Sequence, residues 1–144
     1  MSKKIAIGGD HAGYQHKEKM VKFLESKGYE VKDFGPYSAD SADYPDFVHP
    51  VCDSIEAGNH DFGVLICGSG QGVNITANKH QQIRAALCWD TDLAAVTRQH
   101  NNSNVVSLAA RWTAYELAES IVETFLTTEF EGGRHQLRVD KISC

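Results

Sequence analysis

Val64-Leu65-Ile66-Cys67-Gly68-Ser69-Gly70-Gln71-Gly72 decides the fold. Its four apolar residues read as a buried strand with a thiol at its end. Three glycines and a serine then turn the chain into a helical stretch, expected over 73–79. A strand that feeds a glycine-rich turn and a helix gathers backbone N–H groups into a nest for an oxyanion. The positive end of the helix dipole also favours thiolate over thiol. The segment thus offers a base or nucleophile beside an oxyanion hole. It suits equally an inert buried cysteine on a tight turn. It is not a dinucleotide fingerprint, because the glycines fall at 68, 70 and 72 and position 73 is Val. No Lys follows Gly72, as an NTPase phosphate loop requires, and Cys67 stands where a nucleophile elbow needs Gly.

Strand and helix patterns alternate on both sides. Strands are expected over 4–9, 30–34, 62–67, 83–88 and 104–108. Helices are expected over 13–27 (ended by Gly28 as C′ residue), 44–57 (started late or kinked by Pro50), 73–79 and 90–100. A further helix follows the capping box Thr113-Ala114-Tyr115-Glu116, with Leu117, Ala118, Ile121, Val122 and Phe125 at helical spacing. Residues 35–43 read as a polar loop. Five short strands separated by helices imply an α/β fold, a Rossmann-like three-layer arrangement. Its five-stranded parallel sheet carries helices on both faces.

Ligands collect beyond the carboxyl ends of such strands. Gly8-Gly9-Asp10-His11-Ala12-Gly13 follows strand one, Cys67 ends strand three, and Ala110-Arg111 follows strand five. Arg98-Gln99-His100-Asn101-Asn102 ends the fourth strand's helix and is expected near the same rim. A carboxylate, two imidazoles, a thiol, an amide nest and an arginine form a coherent set, although each residue alone has a structural use. Beyond Gly132-Gly133, Arg134 and Arg138 stand at i and i+4, so a helix would put both guanidinium groups on one face, suited to a phosphate.

A chain of 144 residues suggests one domain, residues 1–144. Its 42% hydrophobic and 23% charged content are ordinary for a soluble globular protein. A net charge of −5 argues against nucleic acid as partner. The apolar runs are too short for a membrane span, and no long apolar stretch follows Met1-Ser2-Lys3-Lys4. Four widely spaced cysteines form neither a disulfide framework nor a zinc motif, so a reducing cytoplasm is expected and no metal.

Gly8-Gly9-Asp10-His11-Ala12-Gly13, Asp43-Tyr44-Pro45, Cys67-Gly-Ser-Gly-Gln-Gly72, Ala77-Asn78-Lys79, Arg98-Gln99-His100-Asn101 and Glu131-Gly-Gly-Arg-His-Gln-Leu-Arg138 occur in that order. Together they resemble the ribose-5-phosphate isomerase B family and its galactose-6-phosphate and allose-6-phosphate relatives, over essentially the whole chain. The resemblance implies reversible interconversion of ribose 5-phosphate and ribulose 5-phosphate with no cofactor. By position, Cys67 matches the base that moves the proton between C2 and C1. Some members carry a Glu after the glycine loop instead; here that place is Val73. His100 matches the ring-opening residue, assisted by Asp10. Backbone groups of Gly68, Ser69, Gly70, Gln71 and Gly72 match the enediolate hole, and Ser69 keeps the hydroxyl that many members supply from Thr. Asn101 matches a sugar contact. Arg111, Arg134 and Arg138 match phosphate ligands, with His11 or His135 nearby. A homodimer with shared active sites, or a tetramer, is implied, with the segment from about 129 to 144 packing on a partner subunit. The alternatives are isomerisation of a six-carbon sugar phosphate and a non-catalytic sugar-phosphate-binding module.

Overall fold

Alternation along each strand sorts the apolar side chains onto two faces, and the helices follow that division. The computed structural model describes residues 2–144. Its elements are β1 (Lys4–Gly9), α1 (Tyr14–Ser26), β2 (Glu30–Asp33), α2 (Pro45–Glu56), β3 (Phe62–Cys67) and α3 (Gln71–Ala77). They continue with β4 (Ala85–Leu87), α4 (Thr91–Asn101), β5 (Val105–Ala109), α5 (Tyr115–Thr127) and α6 (Arg134–Asp140). The strands form one five-stranded sheet, order β2-β1-β3-β5-β4, with every pairing parallel. Ile5, Ile7, Val64, Ile66, Val106 and Leu108 face α1, α4 and α5, burying Met20, Leu24, Ala94, Ile121, Val122 and Phe125. Ala6, Leu65, Cys67 and Val105 face α2 and α3, burying Val48, Val51, Cys52, Val73 and Ala77. No helix among the described residues is long and apolar enough to cross a membrane.

The sheet order creates the crevice. The chain leaves β1 toward β2 on one side, and β3 lies on the other, so the loops after β1 and β3 diverge at the carboxyl ends. Ile66 holds the β1 loop close to β3. Its carbonyl accepts the Asp10 amide at 3.3 Å, and a Cβ on Gly9 or Gly13 would lie 2.1 or 2.2 Å from the same oxygen.

Several expected boundaries shift for local reasons. Helix α2 runs through Pro50 without starting late. Proline removes one bond, to the Asp46 carbonyl, while Val48, Val51 and Cys52 remain packed. Strand β4 shrinks to three residues. Side-chain amides take the flanking backbone bonds: Arg84 N donates to Asn104 Oδ1 and Ala85 N to Asn78 Oδ1, each at 2.8 Å. The capping box is not made. Ala114 is the N-cap and no side chain caps α5, while the carbonyl of buried Thr113 pairs with His16 Nε2 at 2.8 Å. Leu117 stays 39% exposed, and the buried stripe of α5 extends to Leu126 instead.

Lys17 is fully buried on α1, with Nζ 2.7 Å from Asp33 Oδ2 and 2.9 Å from Glu18 Oε1. The other Asp33 oxygen accepts the Gly35 amide at 2.8 Å. The buried ammonium thereby ties α1 to the start of the 35–43 loop, which forms one side of the crevice. Substituting Gly13 with Ala should lower the urea midpoint by the equivalent of about 1–3 kcal/mol, because a methyl group cannot fit against the Ile66 carbonyl. An unchanged midpoint would show that the two loops can separate freely.

Candidate active site

The strand that ends in Cys67 delivers its thiol to the floor of an open cavity of about 800 Å³. Asp10, His11, Cys67, Gly68, Ser69, Gly72 and Arg111 line it, with residues 41–46 on the far side. Cys67 is only 5% exposed. Its Sγ accepts the Gly70 amide at 3.2 Å. Gly70 makes this possible: it caps α3 at φ +72°, a left-handed conformation open to glycine. Its Cβ position is filled by Leu87 Cδ1 at 2.4 Å.

Ser69 Oγ accepts the Gln71 amide at 3.2 Å. Gly70 and Gln71 do not line the cavity; they build the turn, and the Gly70 amide works through the thiol. Helix α3 therefore begins two residues before its expected start. At Gly72 a Cβ would lie 2.5 Å from Tyr44 Cζ, so the tyrosine ring closes one wall directly on the glycine. Tyr44 carries no sequence-level role beyond its motif; the signal for it is the bare Cα of Gly72.

Asp10 is buried and caps the short turn of residues 11–13, its Oδ1 accepting the Ala12 and Gly13 amides at 2.9 and 3.1 Å. Oδ2 is the oxygen left for chemistry. His11 Nδ1 accepts the Ala42 amide at 3.1 Å, so a neutral His11 carries its proton on Nε2. The Arg111 amide donates to the Gly68 carbonyl at 3.0 Å. Its guanidinium lies over Gly68, where a Cβ would be 3.3 Å from Cζ.

The remaining expected residues lie elsewhere. His100, Asn101, Arg134, His135 and Arg138 line a second cavity of about 520 Å³ that shares no residue with the first. The sequence expectation that His100 sits at the thiol's rim is corrected by chain direction. Helix α4 runs back from the carboxyl end of β4, so His100 and Asn101 lie just before the amino end of β5. Cys67 pairs with Ala109 at the carboxyl end of that strand. Four strand residues, about 13 Å, separate the two levels.

The second cavity is anchored by buried Arg98. Its Nη1 donates to the Ser103 carbonyl at 2.6 Å and to Asn102 Oδ1 at 2.9 Å, and Nε donates to the Thr128 carbonyl at 3.1 Å. The Glu131 amide donates to the Gln99 carbonyl at 3.1 Å. Together these bonds bring the segment before α6 against the end of α4. The His100 and His135 rings stack at 4.3 Å, tilted by only 10°. Burial first, then His100 and Arg134, push the His135 imidazole below its ordinary pKa. Glu131, given no role by the sequence reading, completes the group.

Cys52 and Cys88 lie away from both cavities. Burial, reinforced by nearby carboxylates, pushes each thiol up to about 12. Neither can serve as a base near neutral pH.

The family model described as Ribose/Galactose Isomerase matches residues 5–142. Ribose-5-phosphate isomerase B of Escherichia coli (strain K12) is 43% identical over 142 residues, 99% of this chain and 95% of that protein. The crystal structure of a ribose 5-phosphate isomerase from Thermotoga maritima superposes with a TM-score of 0.97 at 49% identity, covering 99% of both chains. Ribose-5-phosphate isomerase B of Mycoplasma genitalium, solved with bound ribulose-5-phosphate, gives a TM-score of 0.93 at 43% identity, covering 99% of this chain and 95% of that one. The chain belongs to the ribose/galactose isomerase family.

Proposed function

We propose that this chain interconverts ribose 5-phosphate and ribulose 5-phosphate as an aldose–ketose isomerase. The observation that carries the reading is the Cys67 thiol, held by the Gly70 amide at the floor of a cavity that Arg111 flanks. The full-length relatives named as ribose-5-phosphate isomerases support the choice of a five-carbon sugar.

In this reading the Cys67 thiolate removes the proton from C2 of the open-chain aldose. The carbonyl oxygen on C1 takes up negative charge as the enediolate forms. Amides of Gly68, Ser69 and Gly72, the residues of the turn that line the cavity, stabilise that charge, a kind of contact worth about 10²–10³ in rate for each donor. Cys67 returns the proton to C1, while the Ser69 hydroxyl passes a proton from O2 to O1. The ketose results with no net gain or loss of atoms or electrons. The turn is preorganised: Gly70 is fixed by Leu87 and its amide is committed to the sulfur, so little reorganisation accompanies charge development. His100 opens the furanose ring with the free oxygen of Asp10, and Asn101 contacts the sugar. Arg111, Arg134 and Arg138 hold the phosphate, with His11 and His135 beside it. Binding energy at the phosphate orients C1 and C2 over the thiol.

The two cavities lie at opposite ends of the sheet within one chain. A complete site therefore needs two protomers, the Cys67 cavity of one facing His100 and the arginines of the partner subunit. Helix α6 buries none of its residues, and Leu137 and Ile142 are 61% and 57% exposed. This apolar surface supports packing of residues 129–144 on a partner. The four cysteines are free, which supports a reducing, cytoplasmic setting.

Cys67→Ala should lower kcat for ribose 5-phosphate by about 10²–10⁴ with sugar-phosphate affinity largely retained; near-normal turnover would remove Cys67 from the mechanism. In the unmodified enzyme at about pH 8, iodoacetamide should alkylate exposed Cys144 and cavity-lining Cys67 and spare Cys52 and Cys88, whose thiols burial pushes up to about 12. Ribose 5-phosphate should slow labelling of Cys67 alone. Peptide mass spectrometry showing equal protection of Cys144 would contradict a sugar seated on the thiol.

A further inference from the structure

A buried ammonium is costly to desolvate, and exchanging a buried ion pair for apolar groups of similar volume often leaves stability unchanged or raises it. Stability alone is therefore a weak reason for Lys17, which is fully buried. Its surroundings point to another. Nζ donates to Asp33 Oδ2 at 2.7 Å and to Glu18 Oε1 at 2.9 Å. It also lies 5.3 Å from the centre of the Tyr14 ring and 5.9 Å from that of Tyr37, within cation–π range. Asp33, Tyr14 and Tyr37 all bind the start of the 35–43 loop. Asp33 Oδ1 accepts the Gly35 amide and the Asp33 carbonyl accepts the Tyr37 hydroxyl, each at 2.8 Å. The Tyr14 hydroxyl donates to the Tyr37 carbonyl at 3.4 Å.

The rest of the loop depends on its two ends. No residue of 37–43 belongs to either core cluster, and 37–41 are exposed. At the far end Tyr44 covers Gly72 at the head of α2. Between the ends the loop reaches into the cavity, where Ser41, Ala42 and Asp43 line the wall. There the Ala42 amide donates to His11 Nδ1 at 3.1 Å.

We propose that Lys17 is a positioning residue: through the 35–43 loop it holds the Ala42 amide on His11, so that His11 presents its Nε2–H to the phosphate of the substrate. A donor at Nδ1 requires a lone pair there, so neutral His11 carries its proton on Nε2. The imidazole then donates to a phosphate oxygen without having to take up a proton first. With the loop released, the ring is free to turn and the proton to occupy either nitrogen. The fraction of chains that offer a donor falls, and the apparent affinity for phosphate falls with it. The phosphate contact of His11 rests on the function proposed above; the hold of Lys17 on the loop and on the tautomer does not.

The test uses the full chain, unmodified, as Lys17→Met, and as Lys17→Met combined with Asp33→Asn. The second change removes the carboxylate that the first leaves unpaired, so the double variant is the one expected to fold well. Both should raise KM for ribose 5-phosphate at least about fivefold, the equivalent of one ordinary hydrogen bond. kcat should stay within about twofold, the pattern of lost uniform binding. The inhibition constant of inorganic phosphate should rise by the same factor as KM. Nitrogen NMR at about pH 8, above the ordinary imidazole range, should show His11 protonated on Nε2 in the unmodified chain. A coupling across the hydrogen bond should join the Ala42 nitrogen to His11 Nδ1, and the variants should lose it. A lowered melting temperature with KM and the phosphate constant unchanged would reduce Lys17 to a structural ion pair and overturn the proposal. A proton on His11 Nδ1 in the unmodified chain would overturn it too, with no variant needed. The NMR changes as described in a chain without isomerase activity would instead overturn the functional reading and leave the tether standing.

Discussion

A parallel sheet obliges every connection to carry the chain back to the amino ends of the strands. In this molecule that obligation separates the candidate site residues into two groups. Residues that end or closely follow a strand, Asp10, Cys67 and Arg111, gather at the carboxyl rim. Residues that end a returning helix, His100 and Asn101, arrive at the other rim and meet α6 there. No rotation of side chains bridges a strand's length. In the proposed reading a second copy of the chain completes the site, in an arrangement where each group meets the other's complement.

Within the carboxyl rim, contacts at main-chain oxygens and missing side chains set the geometry. The Ile66 carbonyl fixes the approach of the β1 loop because Gly9 and Gly13 have no Cβ. Gly70 takes the left-handed conformation that aims its amide at Cys67, and Gly72 admits the Tyr44 ring. The Cys67 thiol is thus placed by a strand and hydrogen-bonded by a turn. Both are stiff, which suits a reaction whose charge moves between fixed oxygens.

Much of this was legible in the residues. The Val64–Gly72 run specified strand, turn and helix, and alternation with short connections specified a parallel sheet. The thiol and the glycine turn were visible as a unit because they are contiguous. The error about His100 came from reading proximity in the order of motifs, when the direction of α4 was the governing fact. Boundaries failed where side chains replace backbone partners, as Asn78 and Asn104 do beside β4. Glu131 stood in a quoted motif without a role, because its approach to His100 depends on the bond from its amide to the Gln99 carbonyl. Lys17 was unreadable as a buried group, since its burial depends on Asp33 and Glu18 closing over it.

The central claim is that each active site draws Cys67 and His100 from different protomers. The direct measurement mixes a Cys67→Ala chain with a His100→Ala chain, each inactive alone, by unfolding and refolding them together. Random pairing makes half of the dimers mixed, and each mixed dimer has one intact site and one doubly damaged site. Ribose 5-phosphate isomerase activity should return to roughly a quarter of the unmodified enzyme's. If mixed dimers form, as native mass spectrometry of differently labelled chains would establish, and no activity returns, both residues serve the same chain's site and the shared-site account is wrong.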